Sequence, residues 1–324
     1  MLTSILWLLA GLILIIVGAS MLTDGASAVA RRMGISDLVV GLTVVAFGTS
    51  APELVISVVS AINGNAPLAV GNVVGSNIFN VFAIIGITAA IRPIKVEKSV
   101  LVNDLPFVVL TALLLLAMGN GPLLDGAQSA TLSRVDGIVL LLVFAVFMRY
   151  TFAEAKSGDS SDPSAQNVAA KKQMGWLKAV AWVVLGLAGL VYGGDRFVDG
   201  ASGIARQLGV SDAVIGLTIV AIGTSLPELA TSVTAAVKGR PGMAIGNVIG
   251  SNIFNILFVL GTAATIRPLS FGSIGNFDLI TMTVACIMFW FFARFYKDKT
   301  ITRPEGIILT LCYVAYTWKL IASL

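Results

Sequence analysis

Two glutamates, Glu53 and Glu228, stand inside otherwise apolar stretches, each among small oxygen-bearing residues. Thr49, Ser50, Ser76 and Asn80 accompany the first, and Thr224, Ser225, Ser251 and Asn255 the second. Carboxylate, hydroxyl and amide oxygens suit hard cations, whereas zinc or copper would call for His or Cys. The chain has no His, and its two cysteines, Cys286 and Cys312, lie in separate apolar segments with no CxxC spacing, as packing residues do. A carboxylate at the centre of a membrane helix costs about 2.5–3.5 kcal/mol on insertion scales, so two of them imply compensation. No Lys or Arg lies in the segments that carry them, and the simplest countercharge is a cation that comes and goes. The alternative is a pair of protonated glutamates hydrogen-bonded to the serines as interhelical glue.

The glutamates belong to a duplication. GLTVVAFGTSAPEL at 41–54 returns as GLTIVAIGTSLPEL at 216–229, and GNVVGSNIFN at 71–80 returns as GNVIGSNIFN at 246–255, always 175 residues apart. Thr49 and Glu53 are four apart, as are Ser76 and Asn80, so each pair is expected to share a helix face. Pro52 and Pro227 precede the glutamates and remove backbone donors, which should free carbonyls near Thr49 and Thr224. Such breaks at membrane depth are tolerated where the carbonyls line an ion site. Two carboxylates, several hydroxyls or amides and one or two carbonyls approach the roughly six to eight oxygens that calcium accepts. The two negative charges balance one divalent or two monovalent cations, and an empty, doubly charged pocket would be costly to carry across a membrane. Obligatory exchange is therefore favoured over uniport.

The elements that must position these residues are membrane helices. Of 324 residues, 57% are apolar and 12% charged, and the mean hydropathy is +0.94, too apolar for a soluble globule. Ten spans are expected, near 3–30, 36–62, 67–90, 102–119, 132–150, 176–205, 211–237, 242–265, 276–295 and 304–322. Five spans per half make the second half enter from the opposite side, so the expected fold is an all-α polytopic membrane protein of ten transmembrane helices in two inverted five-helix repeats, 1–153 and 175–324. A polar cytoplasmic linker, 154–174, joins them and is too short for a regulatory domain. Sixteen of the 21 Lys and Arg residues, Arg31, Arg32, Lys238 and Arg240 among them, fall on one side, which places both termini outside the cytoplasm. The net charge of +4 needs no nucleic acid to explain it. The first span lacks a basic leader and a small-residue cleavage site and reads as a retained helix. Gly11, Gly18 and Gly25, matched by Gly186, Gly193 and Gly200, allow close packing of the first and sixth spans or their sliding as a gate. Asp24 and Asp199, near the ends of those spans, read as interfacial caps rather than ligands.

At the duplicated GTSxPEL and GNVxGSNIFN segments the sequence resembles the cation/calcium exchanger superfamily, and within it the prokaryotic sodium/calcium exchangers. The resemblance covers both halves. It implies a ten-helix fold in which helices 2, 3, 7 and 8 form the ion core and helices 1 and 6 slide across it. It makes Glu53 and Glu228 the shared calcium ligands, with Thr49 and Thr224 contributing backbone oxygen. Ser50, Ser76, Ser225 and Ser251, with the carbonyls of Ala46 and Ala221, would serve flanking sodium sites. Asn255 stands where some members of the superfamily carry aspartate, which removes a titratable group and makes the site more symmetric.

The function expected is a secondary active antiporter that exchanges sodium for calcium by alternating access through a midplane site, in a bacterial or archaeal inner membrane. It would be no enzyme and need no cofactor; its partners would be the transported calcium and sodium ions and the lipid bilayer. A monomer suffices, because the site is complete within one chain. A calcium/proton or other divalent cation/proton antiporter would use the same glutamates and titrate them. A cation channel and an intramembrane hydrolase with paired carboxylates are the alternatives from other classes. The many Ser and Asn oxygens suit sodium better than protons. The lack of His and the duplicated architecture argue against the hydrolase, and the self-contained two-fold site against the channel.

Overall fold

The structure, a computed structural model, describes residues 2–124, 126, 129–157, 174–209, 221–295 and 297–322. The apolar runs form helices. In the first half these are α1 (Leu2–Met33), α2 (Asp37–Thr49), α3 (Ala51–Ile62), α4 (Ala66–Ile91), α5 (Val100–Gly119) and α6 (Arg134–Ser157). In the second half they are α7 (Trp176–Gln207), α8 (Leu226–Val237), α9 (Pro241–Ile266), α10 (Asn276–Phe295) and α11 (Arg303–Ala322). Eight helices are long and apolar enough to cross a membrane, and α2 with α3, interrupted at Ser50, makes a ninth among the described residues. The protein is a helical polytopic membrane protein.

The expected seventh span, 211–237, begins in residues outside the described ones; its described part comprises Ala221–Gly223 and α8. The expected linker also lies largely outside the described residues, and α6 continues to Ser157, past the expected boundary at 153.

The helices are not the whole fold. Two short antiparallel ladders pair β1 (Ile94–Lys95) with β4 (Thr300–Ile301) and β2 (Thr131–Leu132) with β3 (Leu269–Ser270). Proline creates the two strands that follow α4 and α9. Pro93 and Pro268 disfavour helical backbone at the preceding residue, and Arg92 (φ −140°) and Arg267 (φ −147°) are accordingly extended. The apolar members Ile94, Leu132, Leu269 and Ile301 are all buried. Each ladder joins one half of the chain to the other.

The chain divides into two compact units, Met1–Thr49 with Phe147–Asn247, and Ser50–Val146 with Val248–Leu324. In the first unit α1 and α7 pack antiparallel along their glycines. A Cβ on Gly18 would lie 2.8 Å from the backbone oxygen of Gly186, and one on Gly11 would lie 2.6 Å from that of Gly193, so only glycine permits this approach. The contacts map onto each other under the 175-residue spacing: Gly11 with Gly193 becomes Gly186 with Gly18, and Gly25 with Ala179 becomes Gly200 with Ser4. The outward faces carry Ile13, Ile16, Val184 and Leu185, all exposed, as lipid contact requires.

In the second unit α4 is largely buried. It changes from α- to π-helix over Phe79–Ile85, and α9 does the same over the equivalent Phe254–Leu260. Asn80 and Asn255 lie at the start of these wider turns, a local geometry that recurs at functional sites.

Candidate ion-binding site

Each glutamate opens a helix at a break. Ser50 (φ −86°, ψ 9°) and Ser225 (φ −94°, ψ 7°) have the same bridge-region backbone, and each precedes a helix with proline in its first turn. Proline is harmless there, because first-turn amides have no intrahelical acceptor. Glu53 and Glu228 then occupy the first turns of α3 and α8, where the positive end of the helix dipole favours a carboxylate. Both are buried.

The break corrects one expectation. Thr49 closes α2 and Glu53 belongs to α3, so their spacing of four does not place them on one helix face. Ser76 and Asn80 do remain on one continuous helix, α4.

In the first unit an unforeseen residue organises the site. Asn247 accepts a hydrogen bond from Thr49 Oγ1 at 3.2 Å and donates to the backbone oxygen of Glu228 at 3.2 Å and to Ser232 Oγ at 2.9 Å. One carboxamide thus ties Thr49 of the first repeat to Glu228 of the second. Thr49 also donates to the backbone oxygen of Ala46 at 3.4 Å. Ser225 is buried, Thr224 is partly exposed, and Ala221 begins the short helix Ala221–Gly223.

In the second unit Ser76 Oγ donates to Glu53 Oε1 at 3.4 Å. Asn72, the counterpart of Asn247, donates to the backbone oxygen of Glu53 at 3.3 Å and to Ser57 Oγ at 3.1 Å. Asn80 donates to Asn252 Oδ1 at 3.0 Å, and Asn255 to Asn77 Oδ1 at 3.2 Å. The remaining amide oxygens, Asn80 Oδ1 and Asn255 Oδ1, are buried and accept no hydrogen bond among the described residues, and Ser251 Oγ is buried without one as well. Buried oxygens of this kind cost free energy unless something electropositive meets them. Ser50 is buried at the start of α3.

Ala46, Thr49, Ala221, Thr224, Ser225 and Glu228 lie in the first unit; Ser50, Glu53, Ser76, Asn80, Ser251 and Asn255 lie in the second. Sequence reasoning missed Asn72, Asn77, Asn247 and Asn252, although all four lie in the duplicated segments. Asp24 and Asp199 stand apart from the oxygen set, but as ion pairs rather than caps. Asp24 meets Lys238 at 2.8 Å and Arg240 at 3.3 Å, and Asp199 meets Arg196 at 3.1 Å.

The family model described as sodium/calcium exchanger protein matches residues 3–153 and 178–322. The chain belongs to the sodium/calcium exchanger family. Among relatives of this exchanger, the putative antiporter CaxA of Alkalimonas amylolytica is 39% identical over the full length of both chains. The sodium/calcium exchanger MaX1 of Methanosarcina acetivorans is 32% identical over 95% of this chain and 96% of its own. The solved structure of the sodium-calcium exchanger NCX_Mj soaked with sodium and calcium superposes with a TM-score of 0.82 at 32% identity, over 99% of this exchanger and 98% of NCX_Mj. The family is one of transporters, not enzymes, and this exchanger is an integral membrane protein.

Proposed function

We propose that this exchanger moves sodium against calcium by alternating access, through one site near the membrane midplane to which both repeats contribute. The observation that carries the reading is the matched pair of buried glutamates, Glu53 and Glu228, each at the start of a broken helix and each backed by an asparagine on its own carbonyl. Glu53 and Glu228 are the calcium ligands, with the backbone oxygens of Thr49 and Thr224. Ser50, Ser76, Ser225, Ser251 and the carbonyls of Ala46 and Ala221 hold sodium, and Asn80 and Asn255 supply amide oxygen. Two carboxylates neutralise one calcium or two sodium ions, so one cargo leaves as the other enters.

The fold proposed is ten spans in two inverted repeats, supported by the antiparallel, spacing-matched packing of α1 and α7. The membrane is a prokaryotic inner membrane with both termini outside the cytoplasm, and the working unit is the monomer. Reconstitution tests the exchange. Sodium-loaded liposomes diluted into sodium-free buffer should accumulate radiocalcium without a pH gradient. Uptake that follows only a pH gradient would reassign the protein as a cation/proton antiporter.

A further inference from the structure

The crossed carboxamides of the second unit do more than fill space. A carboxamide presents oxygen on one side and NH2 on the other, with nearly the same shape, and a cation accepts only the oxygen. Whatever fixes the flip of Asn80 and Asn255 therefore decides whether they attract or repel an ion. Asn252 Oδ1 takes the Nδ2 of Asn80 at 3.0 Å, and Asn77 Oδ1 takes that of Asn255 at 3.2 Å. Asn77 is itself oriented, because its Nδ2 donates to the backbone oxygen of Asn252 at 3.3 Å and faces Met282 Sδ at 3.9 Å. With both amide nitrogens engaged, the oxygens of Asn80 and Asn255 are left buried and available.

We infer that Asn77 and Asn252 are positioning residues that lock Asn255 and Asn80, respectively, with their oxygens toward the transported cation. Neither acts as a ligand; each works through the asparagine of the other repeat. The pairing is its own image under the repeat spacing, so one rotamer lock serves both halves of the set. This inference rests on the ion-binding reading given above.

The test is a double-mutant cycle read by sodium- and calcium-dependent thermal stabilisation of the purified full chain and by liposome flux. Asn77→Ala and Asn252→Ala should each raise the half-saturating ion concentration about tenfold, in the range found when residues that orient metal ligands are removed. Adding Asn77→Ala to Asn255→Ala should cost nothing further, whereas adding it to Asn80→Ala should multiply the losses. Asn252→Ala should show the reverse preference. A residue needed only for folding would lower the yield of folded protein at unchanged half-saturation, or multiply every loss equally, and either result overturns the inference. If Asn77→Ala does not fold, Asn77→Asp, which keeps the acceptor for Asn255, should retain ion stabilisation; a loss there would also refute the lock. Ion stabilisation without sodium-driven flux in the unaltered protein would overturn the exchange reading alone. No stabilisation by either ion would overturn both.

Discussion

Asn77 and Asn252, equivalent positions of the two repeats, touch each other: Nδ2 of Asn77 donates to the backbone oxygen of Asn252 at 3.3 Å. The flanking bonds obey the same relation, since Asn80 to Asn252 becomes Asn255 to Asn77 when the repeats are exchanged. The duplication in sequence is thus a local symmetry in space, and the amide oxygens proposed to meet the cation sit beside it.

In the first unit Asn247 bonds both Thr49 and the carbonyl of Glu228. Asn247→Ala should lower calcium uptake at limiting calcium by about 10- to 100-fold, as expected when the support behind an ion ligand is removed. Asn72→Ala, which loses the same bond to Glu53, should behave similarly. Uptake kinetics that match the unaltered protein in both variants would show that these asparagines do not hold the glutamates in place.

Asn255→Asp probes the amide that sets this chain apart from aspartate-bearing members of the superfamily. An ionised carboxylate there would set oxygen against Asn77 Oδ1, whereas the protonated acid keeps the hydrogen bond. Ionisation also adds a negative charge that favours a cation and for which protons compete, so calcium uptake by this variant, relative to the unaltered protein at each pH, should change with pH. A ratio that stays flat from acid to alkaline pH would show that position 255 does not face the ions.

Much of this was readable in the sequence, for definite reasons. Motifs repeated at constant spacing reveal Glu53, Glu228 and the serines without any coordinates, and hydropathy reveals the spans. Whether the oxygen or the NH2 of a carboxamide faces inward depends on a partner in the other repeat, so the roles proposed for Asn77 and Asn252 need the fold. Thr49 and Glu53 do not share a helix face, because Ser50 ends one helix before Pro52 enters the next, and residue spacing assumes an unbroken helix. The ladders of Ile94 with Ile301 and Leu132 with Leu269 are two residues long, too short for any alternation to show.

Asp24 ties α1 to the turn between α8 and α9 through Lys238 and Arg240, which the first repeat replaces with Asn63 and Asn65. Burial pushes the Arg240 guanidinium down from its ordinary value, against the pull of Asp37 and Asp24. Asp24→Asn should cost about 1–2 kcal/mol, between the values typical of exposed and of buried pairs. Thermal unfolding should show the loss, with little change for Asp199→Asn, whose side chain is 56% exposed. Equal melting of Asp24→Asn and the unaltered protein would dismiss the tie.

Gly18 and Gly189 separate tight packing from mere proximity. A methyl at Gly18 meets the Gly186 oxygen at 2.8 Å, while one at Gly189 finds its nearest neighbour at 3.5 Å. Gly18→Ala should destabilise by about 1–3 kcal/mol, the usual range for overpacking. Gly189→Ala should be tolerated. Similar melting temperatures for the two variants would contradict the close antiparallel contact of α1 and α7.

If carboxylates from both repeats carry the exchanged ions, Glu53→Gln and Glu228→Gln will reveal it in radiocalcium uptake into sodium-loaded liposomes. Each single variant, folded and inserted like the unaltered protein, should lose sodium-driven uptake entirely. Undiminished uptake by either one would show that its glutamate does not carry the ions.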